Sequence, residues 1–483
     1  MRYRDYGFDA QRLHKRQALI DEETAPYPHR WQRPLPIERV LDYEGSEETV
    51  RVGGRIWARR RMGGVTFIDL RDHSGQVQLY LARDHIPAAL WQQLSHVDQG
   101  DLLGAEGTVF RTQRGELSVR VETWTLLAKS VVPLPIGKED ETRTYYRVSD
   151  VETRYRERHL RWLVDATDRE RIRQRSRIVS ALRRHLEQDE FLEVDTPAIS
   201  TAYGGDLAQP FSTEIRALDR QNGYLRISPE LHLKRYIIAG FERVYTICAN
   251  FRNEGVDQTH NPEFTMLEWY ESYSDYGDQM QRFETLVADI CMDVLATTTV
   301  EYQGQILDFS APWRRLSMLD ALRQYAEVDA DGRTAEELRR ELVERNIECS
   351  SDISWGEAVA ALFDAVCQNQ LIQPTIVYDH PRETSPLSKE HRSDTRLNER
   401  FEVFVCGIEL GNAYSELNDP VEQLHRFVAQ ERDYPFDAGF VRALGCGMPP
   451  TGGVGLGIDR LVMLLTNAAA IRDVIAFPMV KPL

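Results

Sequence analysis

A chain of 483 residues is too long for one hydrophobic core, so two or three domains are expected. Hydrophobic residues at 42% and charged residues at 28% describe an ordinary globular composition, and no apolar run approaches the roughly 20 residues of a membrane span. The net charge of −17 excludes indiscriminate nucleic-acid binding by the whole chain, while six scattered cysteines without a CxxC pair argue against zinc and disulfide frameworks and read as buried reduced thiols.

The start, MRYRDYGFDAQRLHKRQALI, has basic residues but no continuous apolar segment after them, which argues against a secretory signal and for a cytoplasmic protein. Within it QRLHKRQALI reads as a helix, part of an N-terminal extension over residues 1–44. Five short alternating runs follow, from ETVRVGGRIW to GELSVRVETWTLLA, separated by glycine-containing turns. They predict a five-stranded OB-fold barrel over 45–135. Its first run contains RVGGRIWARRR (51–61), where Arg51, Arg55, Arg59, Arg60 and Arg61 with no acid among them suggest a local basic patch. The proline- and charge-rich PLPIGKEDETRT then leads into a linker placed at 136–150.

Residues 151–483 are expected to form one α+β domain, an antiparallel sheet flanked by helices. Ile172, Ile178, Val179, Leu182 and Leu186 recur at approximately helical spacing, and the arginines from Arg154 to Arg184, interrupted by acids, read as a solvated helix face. FLEVDTPAIS is a short strand ending at Pro197, and strands return at YLRIS, RVYTICANF and FTMLEWY. In the last two, alternate residues face opposite sides, so Cys248 and Asn250, leading to Arg252 and Glu254, share one parity, and Phe264, Met266, Glu268 and Tyr270 share another. Such a polar face looks like a pocket wall. A helical insertion is placed at about 276–369, before strands at PTIVYDH and RFEVFVCGIEL.

In RFEVFVCGIELGN, Cys406-Gly407 sits where a two-residue turn belongs. Pairing Val405 with Ile408 puts Phe404 opposite Glu409 and makes Glu402 a diagonal neighbour of Glu409, ~7–8 Å away at the backbone. A Mg²⁺ shared with substrate phosphates would relieve their repulsion; exposure of one Glu is the alternative. The terminal TGGVGLGIDRLVMLLTN places glycines before a helix, with Arg460 in its first turn where the dipole disfavours a cation, which suggests a bound anion.

FLEVDTP, FRNEG with HNPEF, and GLGIDRL together resemble, in this order, the three signature motifs of class II aminoacyl-tRNA synthetases, and with the barrel the likeness covers nearly the whole chain. ISPELHLKR, THNPEFTMLEWY, IELGNAYSELNDPVEQ and MPPTGG are similar to the lysyl-tRNA synthetase family, of the bacterial class IIb type. The resemblance implies catalytic roles for Arg252 and Arg460: Arg252 would hold the ATP α-phosphate and the amino-acid carboxylate, and Arg460 would lie against adenine and near the γ-phosphate. Phe264 would stack on adenine, and Glu254, His260 and Asn261 would line the nucleotide site. Glu402 and Glu409 would take Mg²⁺. For lysine it implies Glu416 and Tyr270 at the ε-ammonium, Glu230 with Gly205 at the α-ammonium end, Asn412 at the carboxylate, and Glu268 beside them. In the barrel it implies Arg60, Phe67 and Gln78 as anticodon readers. The implied activity is lysine–tRNA ligation by a homodimer built through the long helix and FLEVDTP, with ATP, lysine and tRNA(Lys) as partners. The chain departs from the family at GGDLAQPF, where Asp206 and Gln209 replace a small residue and an arginine, and at Thr246 and Cys248-Ala249. Some of its spellings resemble a truncated relative that lysylates elongation factor P. A protein lysyltransferase and a tRNA-binding paralogue without activation are therefore the alternatives.

Overall fold

The computed structural model describes residues 3–136, 151–202, 204, 208–429 and 436–481. Gly205, Asp206 and the expected linker beyond Ile136 lie outside the described residues. The chain divides into two compact units, Met1–Val164 and Asp165–Leu483.

In the first unit, helix Ala10–Asp21 is N-capped by Asp9, whose carboxylate accepts the Arg12 N–H at 2.9 Å. Strands β1 (Thr49–Met62), β2 (Val65–Arg71), β3 (Gln76–Ala82), β4 (Leu102–Arg111) and β5 (Leu117–Ala128) close into a barrel in the order β1-β2-β3-β5-β4. Period-2 alternation puts Ile56, Ile68, Leu70, Leu79, Leu103 and Val119 inside, all unexposed. Phe67, Gln78 and Tyr80 fall on the outer face, so Phe67 is not a barrel-core residue.

The arginines of β1 do not make one free basic patch. Arg51 pairs with Glu106 at 2.7 Å, Arg55 and Arg59 donate to the carbonyls of Gly100 and Val97, and Arg60 forks onto Asp69 with two bonds of 2.9 Å. Strand alternation splits them between faces, and acids distant in sequence reach them across the sheet.

The second unit begins with helix Ala166–Gln188, whose N-cap Asp165 accepts the Thr167 and Asp168 N–H groups. Part of the expected solvated face is solvated, as in the Arg173–Glu170 and Arg177–Glu170 pairs. Arg175 instead turns inward to the buried Asp459. Arg158, in the short helix Arg158–Val164 of the first unit, is 1% exposed and stacks between Tyr155 and Trp162.

Beside the long helix runs β6 (Leu192–Glu193). A small sheet holds β7 (Ile199–Ser200), β8 (Ser212–Ile215) and β9 (Gln221–Leu225); the YLRIS strand therefore lies earlier than expected and outside the main sheet. Next come β10 (Arg243–Phe251) and β11 (Glu263–Ser272), joined by the loop 252–262. The span 276–369 is not wholly helical. After helix Tyr276–Leu295 it contains the hairpin β12 (Thr299–Tyr302) and β13 (Gln305–Asp308), then β14 (Arg314–Ser317). Their short length and polar residues hid them.

The main sheet is completed by β15 (Thr375–Pro381), β16 (Leu397–Val405), β17 (Ile408–Ser415) and β18 (Thr451–Gly457). Its order is β14-β15-β16-β17-β18-β11-β10-β6. It is antiparallel except at its two edges, where β14 runs parallel to β15 and β6 to β10. Trp269, Phe283, Phe401, Leu456 and Leu461 fill the core between one sheet face and the helices. The opposite face is left for the site. Among the described residues no helix is long and apolar enough to cross a membrane. All six cysteines are free; Cys291 and Cys367 are buried as expected, whereas Cys446 is exposed.

Candidate active site

The glycine-rich β18 lies between β17 and β11 and forms the site's floor. Across the three strands one row reads Tyr414, Gly453, Tyr270, and the next reads Asn412, Gly455, Glu268. The side chains standing on either side are large and polar, while the central position of each row is empty. A Cβ at Gly453 would lie 1.9 Å from Glu416 Oε1 and 2.5 Å from Tyr270 Cε1, so only glycine leaves this space open. The parity read from the sequence is observed: Asn250 pairs with Phe264, Cys248 with Met266 and Thr246 with Glu268.

Over this floor lies an acidic cavity lined by Ser228, Glu230, Arg252, Glu268, Tyr270 and Asn412, among others. Glu230 starts the helix Glu230–Ile238. The Ser228 hydroxyl donates to Glu268, and the Tyr270 hydroxyl donates to Glu268 Oε2 at 3.3 Å. Burial, then the neighbouring Glu230, pushes the Glu268 carboxyl up to about 8. Tyr414 OH donates to Glu230 Oε2 at 2.8 Å. Glu416 is 1% exposed; its Oε2 pairs with the Lys234 ammonium, and its Oε1 has no hydrogen-bond partner among the described residues. Burial and the adjoining Glu230 and Glu268 push the Glu416 carboxyl up against the opposing pull of Lys234. A cavity walled by Glu230 and Glu268, with Glu416 buried beside Gly453 behind its floor, is built for a cationic guest, because the lining carboxylates have lost water that an ammonium can replace.

A second cavity meets the first at Arg252, Met266, Asn412 and Gly455. Its wall includes Glu254, His260, Asn261, Phe264, Glu409 and Arg460. The Arg252 guanidinium lies 5.2 Å from the Phe264 ring centre, a cation–π contact at the junction. His260 is held by Asp257 at 2.8 Å and approaches Arg460 Nη2 at 3.1 Å through its other ring nitrogen. Arg460 also donates to the Glu409 carbonyl at 2.7 Å, so its place in the first turn of helix Ile458–Leu465 is already supported by local acceptors. Asn261 Nδ2 donates to the Glu263 carbonyl, and its buried Oδ1 has no partner among the described residues. Glu254 accepts the Gln209 N–H at 3.3 Å.

The hairpin turn at Cys406-Gly407 and the Val405–Ile408 and Phe404–Glu409 pairs are as expected. The diagonal placement of Glu402 and Glu409 is corrected: Val403 pairs with Gly411, leaving Leu410 as an extra residue, and Glu402 faces Asn412. Glu402 lines neither cavity and pairs with Arg400, while Glu409 Oε1 accepts from Asn412 at 3.4 Å. Both still share an electrostatic neighbourhood, since burial and then Glu402 and Glu409 push Asp364 up to about 6. Among the described residues no three carboxylate, His or Cys groups converge as a protein-only metal cage. A Mg²⁺ that keeps waters and takes phosphate oxygens needs only one or two carboxylates, so this donor set fits one.

On the barrel, Arg60 pairs across strands with Phe67 and Asp69 with Gln78, placing the three expected readers on one outer surface. Phe67 packs edge-on against Tyr80 at 5.6 Å, and Tyr80 against Phe110 at 5.5 Å. Gln78 Oε1 accepts from Ser118 at 3.1 Å.

Sequence reasoning missed Lys234, Ser228, Tyr414, Asp459 and Asp364. Only Lys234 carried a usable signal, its i+4 spacing from Glu230 in ELHLK. Asp459 acts through a contact with no sequence proximity: it accepts the Thr265 N–H at 2.7 Å and pairs with Arg175.

A family model for class II tRNA synthetases (D, K and N) matches residues 150–481, and one for the OB-fold nucleic acid binding domain of the anticodon-binding type matches 50–127. The chain belongs to the class II tRNA synthetases of this D, K and N group. It is 43% identical to the lysine–tRNA ligase of Methanoculleus marisnigri, covering 98% of this chain and 95% of that protein. It is 42% identical to lysine–tRNA ligase 2 of Methanosarcina mazei and to the lysine–tRNA ligase of Pelotomaculum thermopropionicum, in each case over 98% of this chain and 94% of the relative.

Proposed function

We propose that this chain is a lysine–tRNA ligase that activates L-lysine with ATP and transfers it to the 3′ end of tRNA(Lys). The observation that carries this reading is the meeting of an acidic cavity and a nucleotide-sized, arginine-lined one at Arg252. Lysine enters with its ammonium groups toward Glu230, Glu268, Tyr270 and Glu416 and its carboxylate toward Arg252 and Asn412. ATP lies along Phe264 and Arg460, with Glu254, His260 and Asn261 around it. A lysine carboxylate oxygen then bonds to the α-phosphorus as the bond to the β-phosphate oxygen breaks, giving lysyl-adenylate and pyrophosphate. In the second step a terminal ribose hydroxyl of the tRNA attacks the activated carbonyl and AMP leaves.

Both reacting groups of the first step are anions. Arg252, at the junction, offsets their repulsion and the charge that develops at phosphorus, so positioning and electrostatics suffice without a covalent enzyme intermediate. Mg²⁺, when bound, would be held by Glu409, which lines the nucleotide cavity, with the ATP phosphates and would further neutralise the triphosphate. The outer barrel face with Arg60, Phe67 and Gln78 serves unpaired anticodon bases, by stacking and edge hydrogen bonds. The half-exposed Leu192, in β6 beside the long helix, supports a homodimer through that region. Free cysteines throughout are consistent with a reducing cytoplasm. The test is pyrophosphate exchange with each amino acid, followed by charging of tRNA transcripts with varied anticodons. Exchange dependent on an amino acid other than lysine, or exchange without tRNA charging, overturns the reading.

A further inference from the structure

Behind the wall of the acidic cavity, against its lining residue Glu230, lies a buried cation that the binding of substrates does not use. Lys234 lies one turn into helix Glu230–Ile238, with a side chain that is 0% exposed. Its ammonium stands 2.6 Å from Glu230 Oε1 and pairs with Glu416 Oε2, under the rings of Tyr414 and Phe440 at 5.8 and 5.9 Å. Glu230 and Lys234 share a helix face at i,i+4 spacing, while Glu416 arrives from just beyond β17, so one ammonium ties the helix to the sheet. A fully buried ammonium persists only with carboxylates at hydrogen-bond range.

We propose that Lys234 is a resident counter-ion that sets the charge of the amino-acid cavity and the aim of Glu416, and thereby selects an amino acid bearing two ammonium groups. This rests on the reading of the cavity as the lysine site. Once a bound ammonium draws the proton from Glu268, the carboxylates of Glu230, Glu268 and Glu416 present three negative charges, and Lys234 cancels one. The two that remain equal the two ammonium groups of lysine, whose carboxylate is left to Arg252. Held by Oε2, the Glu416 carboxylate presents Oε1 beside Gly453, in the space that a side chain there would fill. An amino acid with a single ammonium leaves a buried carboxylate unpaired, which disfavours it much more than loss of apolar contact does. Lys234 reaches no substrate atom in this arrangement and acts through Glu416 and Glu230 as a positioning residue.

The groups that bear on this balance come from every element around it: Glu230 on the helix, Tyr414 and Glu416 along and beyond β17, Glu268 and Tyr270 on β11, Arg252 after β10 and Arg400 on β16. Burial opposes the Lys234 charge, and Glu230 and Glu416 outweigh it, holding its pKa above the ordinary lysine value. Without Lys234, the Glu416 carboxyl, pushed up by burial and its acidic neighbours, keeps a proton that the substrate ammonium then has to displace.

Pyrophosphate exchange of the full chain, measured at pH 6 to 8 with lysine and ATP varied separately, tests the proposal in Lys234→Met and Lys234→Arg. Lys234→Met is expected to raise the lysine KM at least tenfold at pH 7, with the ATP KM within threefold of wild type. Its lysine KM should also fall more steeply with rising pH than that of wild type. Lys234→Arg, which keeps the charge, should stay within tenfold of wild type for lysine and retain the wild-type pH slope. A folded Lys234→Met with the wild-type lysine KM and slope overturns the proposal. If Lys234→Met does not fold, Lys234→Arg decides: retained lysine KM and slope support a charge role, and loss of lysine and ATP affinity together overturns it. Wild type that exchanges with no dependence on lysine removes the lysine-site reading instead, an outcome distinct from failure of the Lys234 variants.

Discussion

Glu268 offers the sharpest measurement, because its environment sets both a stability and a binding dependence on pH. The carboxyl is fully buried, accepts from Ser228 and Tyr270, and is raised from its ordinary 4.5 to about 8, first by burial and then by Glu230. A folded-state pKa raised above the unfolded one means that the folded protein holds a proton the unfolded chain has released. The associated stability is fully present below about 4.5 and is lost as pH rises through about 8. Over the whole window this corresponds to about 5 kcal/mol as an order of magnitude, and between pH 6 and 8 to about 2 kcal/mol. Glu268→Gln keeps the shape, removes the titration, and resembles the protonated wild-type group. Wild type should therefore already be weaker than Glu268→Gln by about 2 kcal/mol at pH 6 and by about 4 kcal/mol at pH 8, a gap that widens by a few degrees in Tm between the two pH values for a domain of this size. Saturating lysine should close that gap, because its ammonium supplies the partner that ionised Glu268 lacks. The apparent affinity of wild type for lysine should rise by up to about tenfold per pH unit between 6 and 8, and that of Glu268→Gln should be lower and flatter. Thermal unfolding of both proteins across this range, with and without lysine, reads both effects. A Tm difference between them that is the same at pH 6 and pH 8 would refute the reasoning.

Gly453→Ala places a methyl 1.9 Å from Glu416 Oε1 and 2.5 Å from Tyr270; this overpacking should cost about 1–3 kcal/mol of stability and raise the lysine KM well above any change in ATP KM, and an unchanged lysine KM would separate Glu416 from the binding site. Glu409→Gln should reduce pyrophosphate exchange by at least about a hundredfold with the fold intact by circular dichroism, and activity that stays at the wild-type level across a Mg²⁺ titration would remove Glu409 from the metal assignment. Phe67→Ala should lower tRNA charging by an amount matching about 1–3 kcal/mol of lost base stacking while exchange with lysine stays constant; a parallel fall in both would make Phe67 a structural residue that acts through its packing on Tyr80.

Local periodicity carried the sequence reading as far as side-chain direction goes. The parity of Phe264, Met266, Glu268 and Tyr270, the turn at Cys406-Gly407 and the helix over Ala166–Gln188 all follow from neighbours a few residues apart, and all are present in the fold. The ordered motifs likewise made the family legible, since each quoted segment keeps its chemistry within a dozen residues. Partners across strands and between elements were not legible. Arginines 51 to 60 look like a free patch in sequence because Glu106 and Asp69 lie far along the chain from most of them, yet the barrel brings these acids alongside. The extra residue Leu410 shifts the register by one, a change that depends on how two strands pair, so Glu402 meets Asn412 instead of taking the regular diagonal to Glu409. The glycines of β18 could be read only as permissive backbone. That they form an open floor between Tyr414 and Tyr270, and between Asn412 and Glu268, depends on which strands flank β18. Residue types and their faces were thus determined by the sequence alone, because alternation is a property of one strand. Which charges meet, and that Lys234 stands between Glu230 and Glu416, was decided by tertiary structure, because pairing and burial join residues that the chain keeps far apart.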